Sequence, residues 1–345
     1  MKNNLFHKVD IKPFALALFI VLSMGCGDAL KPDLSDTPTS GNLNVSADES
    51  FAPLMTAEAE TFMALYNNAK INMHYKTETE AINDLLNDSV KVIISGKDIT
   101  PEQENYFKEK KVRARSVKVA IDALALITGR DNPDSLITMT QIKEIFHGKT
   151  TNWNQISSNN KSGDIAVVFD RSGSSNVRYL KEKFLPEGQF PANCFALNSN
   201  REVMEYVKNK PNAIGIIGVG WISDSNDTTA MSFLNDIRVM SVKNEESSEY
   251  TDYYKPFQAY IALKQYPLTR DVFLINRESR NGLGTGFASF VAGDQGQRLV
   301  RLKGLLPATM PVRIVKPEIE ILNSEIKRDE KKVVFIWCNG INVVS

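Results

Sequence analysis

The feature that most constrains this chain is a repeated change of apolar spacing, from two residues to about 3.6 and back. Leu43–Ala47 reads as a short strand. Pro53 then opens a helix with Leu54, Phe62, Met63 and Tyr66 on one face, ending near Asn67 and Asn68. Ile71–Lys76 is a second strand, Ala81–Asn87 a helix carrying Ile82, Leu85 and Leu86, and Val90–Ser95 a third strand. Thr100 to Gln103 form a capping box with Pro101 at the first helical position. Strands separated by helices pair through crossovers, so the expected product is an α/β fold, a mainly parallel sheet covered by helices.

A second layer of the same kind follows. Val117–Ile127 is a long apolar strand, and Thr138–His147 a short helix closed by Gly148. Ile165–Phe169 is a strand, and a helix starts at Ser174–Asn176 with Val177, Leu180 and Phe184 inward. Ser199 to Glu202 form a second capping box, and Ala213–Val219 and Ile237–Val242 read as strands. Residues 253–275 read as a strand pair, followed by a glycine-rich turn and a helix over Asp294–Lys303, closed by Gly304. No internal repeat is present. Residues 316–328 are charged, and 333–345 are apolar with strand propensity.

The length of 345 residues favours two or three compact units, because single cores stop growing at roughly 250–300 residues. A hydrophobic content of 42% excludes a disordered chain. Lys plus Arg (41) balances Asp plus Glu (41), so no basic surplus supports a nucleic-acid partner.

That balance hides a distinct start. Lys2, Lys8 and Lys12 face one acid, Asp10, and residues 14–22 are unbroken apolar. A basic start, a short apolar run and a small residue before Cys26 read as a secretory leader; an N-terminal anchor helix is the alternative. The run is shorter than the roughly 20 residues a membrane span needs. Residues 1–25 resemble a bacterial lipoprotein signal, with Gly25-Cys26 fitting and Ser23 standing where Leu is usual. The resemblance implies lipid on Cys26 and an exported, membrane-anchored, periplasm-facing protein. Residues 26–41, rich in Asp, Pro, Ser and Gly, read as a flexible tether. Without residues 1–25 the formal charge is −2. Cys194 and Cys338 remain; an exported setting permits a disulfide between them, but the expectation is that they do not pair.

Three strand-to-helix junctions carry small hydroxyls: Asp48 to Phe51, Lys76 to Glu80, and Asp170 to Asn176. Free backbone N–H groups and the helix dipole favour an anion at such starts, and Ser or Thr adds uncharged donors. In open α/β sheets, ligands lie in this crevice. The plainer reading is ordinary N-capping. The third junction is richer: three Ser and an Asn crowd one turn, Gly173 lets it curl, and Arg171 stands beside it.

These blocks, in this order and spacing, resemble the phosphate-binding proteins of bacterial phosphate ABC transporters, within the periplasmic-binding-protein superfamily. The resemblance covers roughly residues 41–315. It rests on SADESFAPLMTAEAETF, VKVIISGKDIT, AIDALALITGRDNP, LITMTQIKEIFHGKTTNW, DRSGSSNVRYLKEKF, NAIGIIGVGWIS, YPLTRDVFLI and GFASFVAGDQGQRLVRLKGLLP. It implies a two-lobed type II fold, with mixed, mainly parallel sheets flanked by helices and two hinge strands. Lobe I would hold residues 42–121 plus 250–315 and lobe II residues 122–249, leaving 316–345 as a tail. It implies capture of phosphate, or a similar tetrahedral oxyanion, between closing lobes and delivery to an ABC permease, without a cofactor, by a monomer. By the same resemblance, Ser50 and Phe51 would form the first oxyanion loop, Thr79 would serve in the second, and Ser174, Ser175 and Asn176 would grip the anion at a helix start.

Two departures accompany it. Lys97 stands where the family has a phosphate-selecting Asp, with Glu78 or Glu80 as other acceptors or as plain early-helix charges. Asp170 stands where the family has an Arg, and Arg171 is one residue late. Phosphate selectivity therefore stays open, and a sensor or scavenger with a different ligand is the alternative. An enzyme on this scaffold ranks below both, because no nucleophile elbow or acid/base set is visible. Gly148-Lys149-Thr150 lacks the upstream Gly of a phosphate loop, Lys143 standing there. His74 and His147 lie far apart, and no His/Cys cluster suggests metal. Trp153 and Trp221 read as packing residues, with a cleft-facing Trp221 as the alternative.

Overall fold

A computed structural model describes residues 36–223, 235–244 and 252–310, and the backbone of 314–315, 334–337 and 340–342. The leader, Cys26 and Cys338 lie outside the described residues, and the Cys194 thiol is in no disulfide among them.

The expected alternation is built almost as read. Strand β1 (Gly41–Asp48) leads to helix α1 (Ala52–Leu65), β2 (Ala69–Lys76), α2 (Glu78–Leu86), β3 (Val92–Ser95) and α3 (Pro101–Glu109). The long strand β4 (Arg115–Gly129) follows, then β5 (Leu136–Thr138), α4 (Met139–Phe146), β6 (Ala166–Phe169) and α5 (Ser175–Phe184). The second layer continues with β7 (Cys194–Ala196), α6 (Asn200–Lys208) and β8 (Ala213–Gly218). After β9 (Ile237–Val239), β10 (Ser241–Lys243) and β11 (Tyr253–Tyr254) come α7 (Gln258–Ala262), β12 (Thr269–Asn276), α8 (Leu283–Ala292), α9 (Asp294–Leu302) and β13 (Leu306–Pro307). Reciprocal capping boxes start α2 (Thr77 with Glu80), α3 (Thr100 with Gln103) and α4 (Thr138 with Gln141). Ser199 caps α6 by accepting from the Glu202 N–H. A lost cap of this kind costs about 1 kcal/mol.

One ten-stranded sheet runs β2-β1-β3-β12-β4-β8-β6-β7, with β13 and β9 also on β4. Its two ends are parallel: β1 with β2 and β3, and β6 with β7 and β8. Every partner of β4 is antiparallel. β4 changes partners along its length: Ala123 still pairs Thr269 of β12, while Leu124 pairs Gly218 of β8. The first half-sheet (β1, β2, β3, β12, β13) and the second (β6, β7, β8, β9) therefore meet on one strand. The carboxyl ends of β1 and β6 lie at the seam between them. Val45, Val92, Leu124, Leu126, Leu274 and Phe287, each at most 2% exposed, belong to the main core.

Several readings change. The first member of the strand pair over 253–275 is largely helix α7. Ile237–Val242 divides into β9, on β4, and β10, which pairs β5 and β11 in a separate sheet. The glycine-rich turn is mostly helix α8. Its glycines answer to packing: a Cβ on Gly286 would lie 1.8 Å from the Pro38 carbonyl oxygen. Residues 36–40, within the expected tether, dock there, since Asp36 accepts from the Leu283 N–H at 2.9 Å. Gly148-Lys149-Thr150 closes α4, with Gly148 at φ +68°. Trp153 is fully buried and donates to the Asn212 carbonyl.

Candidate functional site

β1 and β6 each end in an aspartate followed by a helix start. Asp48 is fully buried, and its carboxylate accepts from the Ser50 N–H at 2.9 Å within its own junction. The other oxygen accepts from the Ser175 N–H, at the start of α5 across the seam, also at 2.9 Å. Asp170, 1% exposed, accepts from the Ser174 hydroxyl at 2.6 Å in its own junction and from the Ser50 hydroxyl at 3.1 Å across the seam. The arrangement is reciprocal: each junction's carboxylate holds a donor of the other. Gly173, at φ +90°, turns the chain back so that Ser174 can cap α5, accepting from the Val177 N–H.

Further groups complete the seam. Glu49 accepts from the backbone N–H and the side-chain amide of Asn200. The same amide lies 3.3 Å from Asp170, and Asn176 donates to the Asn200 carbonyl oxygen. Arg270 of β12 makes two bonds to Asp122 of β4, at 2.8 and 3.0 Å, and one to the Ser175 hydroxyl at 2.9 Å. Its guanidinium sits 4.8 Å from the centre of the Phe51 ring. Trp221 packs against a second core cluster, as its packing reading has it, and donates its indole N–H to the Ser50 carbonyl at 3.2 Å. Deeper along the seam, Glu78 of α2 accepts from the Ser95 hydroxyl and the Gly96 N–H, and pairs with Arg178 of α5.

The electrostatics follow from burial. Removal from water pushes the Asp170 carboxyl up to about 7, with the Asp48 and Glu49 charges adding to the shift and the Ser174 hydrogen bond opposing it. Burial also raises Glu49 and Asp122, the latter against the pull of Arg270. The buried Arg270 guanidinium pairs with Asp122 and its charge also acts on Asp170, whereas the cation acting on Glu49 is the exposed Arg171.

The expected residues divide into two sets. Ser50, Ser174, Ser175 and Asn176 converge on the seam, and Phe51 lies against Arg270. Thr79 is exposed and spends both its N–H and its hydroxyl on the Gly173 carbonyl. Lys97 is exposed and pairs with Glu182 at 3.5 Å, not with Asp48 or Asp170. Arg171 is exposed and donates to the Asn198 carbonyl. Glu80 is a capping residue, as its plainer reading has it, whereas Glu78 is a buried acceptor. Sequence reasoning missed Asp48, Glu49, Asn200, Arg270 and Asp122. A strand-end Asp immediately before a Ser-bearing helix start, occurring twice, was the available signal for Asp48 and Asp170.

In chemical terms the seam is a set of hydroxyl and N–H donors holding carboxylate oxygens. No metal-ligating cluster exists among the described residues. No helix among them is long and apolar enough to cross a membrane.

Comparison with known proteins places this geometry in context. A family model described as a PBP superfamily domain matches residues 35–295. The phosphate-binding protein PstS of Borreliella burgdorferi is 25% identical over 274 residues, 76% of this chain and 89% of that protein. PstS of Bacillus subtilis is 24% identical over 305 residues, 85% and 92% of the two chains. A Clostridium perfringens structure, described as a phosphate ABC transporter substrate-binding protein with bound phosphate, superposes with a TM-score of 0.65 at 22% identity. It is covered completely, against 78% of this chain. An ABC-type phosphate transport receptor from Vibrio cholerae gives a TM-score of 0.57 at 19% identity, with the same coverage.

Proposed function

The chain belongs to the PBP superfamily and has its α/β type II fold, and from that premise we propose that it is a solute-binding protein that captures a tetrahedral oxyanion of the phosphate class at the seam. Delivery to an ABC permease follows from the same proposal, as does binding without chemical conversion. The division into lobes at residues 42–121 plus 250–315 and 122–249 belongs to it too, as do export and a lipid anchor on Cys26. The observation that carries the proposal is the convergence of two Ser hydroxyls and two backbone N–H groups, from Ser50, Ser174 and Ser175, on oxyanion acceptors. Parting the half-sheets frees the Ser50 hydroxyl and the Ser175 N–H, the two donors whose acceptors lie across the seam. An entering anion takes those donors in place of Asp170 and Asp48. Asp170, with its raised pKa, can carry a proton beside that anion near neutral pH.

A second reading has its own support. Three buried carboxylates, Asp48, Asp122 and Asp170, of which only Asp122 pairs with Arg270, oppose a dianion, which favours a sensor or scavenger with a different ligand. Thermal unfolding with phosphate, arsenate, sulfate and molybdate separates the two. A ligand present at 100 times its Kd adds about 2.7 kcal/mol to the folded state. Phosphate is expected to raise the unfolding midpoint, and Ser50→Ala with Ser174→Ala to abolish the rise. A midpoint unmoved by all four anions sinks the oxyanion reading.

A further inference from the structure

Beside the carboxylate seam lies a cavity of about 810 Å3 with the opposite charge. Lys97, Lys118, Lys183, Lys264 and Arg270 line it, against two carboxylates, Asp98 and Asp271. It spans the boundary between the half-sheets. The Gly96 turn after β3, β4 and the α7–β12 segment form one side, while Met139 of α4, Lys183 of α5 and Asn244 contribute the other. Its floor is apolar, with Ile121, Met139, Tyr266, Phe273 and Leu306.

We infer that this pocket is a separate binding site for an organic anion, a small molecule carrying phosphate or carboxylate groups on a less polar body. Three observations point the same way. The volume lies within the roughly 300–1,000 Å3 of small-molecule sites. The cations are only partly neutralised from within the protein: Lys118 pairs with Asp271 at 2.7 Å and Arg270 with Asp122, but Lys183 and Lys264 have no carboxylate partner among the described residues. Lys183 instead places its ammonium 5.7 Å from the Tyr179 ring. Finally, the apolar floor gives an organic body a surface that a bare inorganic anion cannot use. The cavity shares Arg270 with the seam, where it bonds the Ser175 hydroxyl, and is told apart from it by Lys183 and Lys264.

Calorimetric titration of the processed chain with glycerol 3-phosphate, AMP and citrate tests the inference, with inorganic phosphate titrated in parallel. At least one organic anion is expected to bind. Its affinity is expected to fall tenfold or more in Lys183→Gln with Lys264→Gln and to recover in the Lys→Arg pair. Both lysines are exposed, so an unchanged unfolding midpoint verifies that the variants fold. Binding of none of the three probes, or affinity indifferent to the two lysines, overturns the inference. Phosphate binding lost in Ser50→Ala with Ser174→Ala but kept in the double lysine variant belongs to the seam, and the reverse pattern to the cavity, so failure of either proposal is recognised separately.

Discussion

The carboxylate seam and the lysine-lined cavity share Arg270 yet solve opposite electrostatic problems. In the seam, acids are buried and every one of Asp48, Asp122 and Asp170 is held by at least two donors. In the cavity, Lys183 and Lys264 stay near water and have no acid partner among the described residues. Burial explains the contrast. A carboxylate removed from water must find donors inside the protein, whereas a lysine at a cavity mouth keeps its hydration and needs no internal partner. The carboxylates of the seam are therefore satisfied as they stand, although the buried Oδ1 of Asn176 has no hydrogen-bond partner among the described residues, and a ligand must compete with the protein's own acceptors. The cavity has charge left over, and a ligand there completes it.

The largest expected effect breaks the group that the two regions share. Arg270→Ala leaves Asp122 buried and unpaired, a loss of about 3–5 kcal/mol by analogy with broken buried pairs. Denaturant titration checks it, and a variant as stable as the parent would show that Asp122 is not sustained by Arg270.

A smaller effect separates buried acids that have donors from one that has none. Glu58 of α1 is fully buried, its carboxyl oxygens have no hydrogen-bond partner, and burial alone pushes it up to about 9. A carboxyl whose folded pKa lies above its unfolded value costs stability as pH rises from the unfolded to the folded pKa. For Glu58 that window runs from 4.5 to about 9, and for Asp170 from 3.8 to about 7. Glu58→Gln is therefore expected to stabilise the protein by about 3 kcal/mol at pH 7, since each pH unit above the unfolded pKa costs about 1.4 kcal/mol. Asp170→Asn is expected to flatten the pH profile only below about 7, whereas Glu58→Gln flattens it beyond that point as well. Denaturation midpoints between pH 5 and 9 measure both; coincident profiles for the two variants would show that the two carboxyls do not differ in folded pKa.

The smallest effect tests the rim. Thr79→Ala removes one hydroxyl bond across the seam, to Gly173, and leaves the backbone N–H bond in place. An exposed bond of this kind contributes about 0.5–1.5 kcal/mol. A loss well above that range would assign Thr79 to the seam itself.

Much of the fold was legible because its causes are local. The Thr100–Gln103 box, the Gly148 cap and the Pro53 start of α1 each depend on residues within one or two turns, whereas Tyr66, read on the buried face of α1, lies past its end and is exposed. Helix α8 escaped because Gly282, Gly284 and Gly286 read as a turn, while their absent side chains make room for Asp36, Val92 and Pro38. Helix α7 escaped because a five-residue helix is too short to show a period. At the site, the two Ser-bearing helix starts could be read, but their destination could not. Ser50 reaches Asp170 across 120 residues of sequence, Asp48 reaches Ser175 across 127, and Arg270 reaches Asp122 across 148.

The sequence by itself determined the elements, their caps and the two junctions, since spacing and short-range hydrogen bonding act along the chain. Only the tertiary structure decided what those junctions hold. It brought β1 and β6 to one seam by routing both half-sheets through β4, and so turned two ordinary strand-end aspartates into the acceptors of each other's donors. Charge pairing depends on distance in space, and on burial that raises its strength, and neither quantity is written in any local window of sequence.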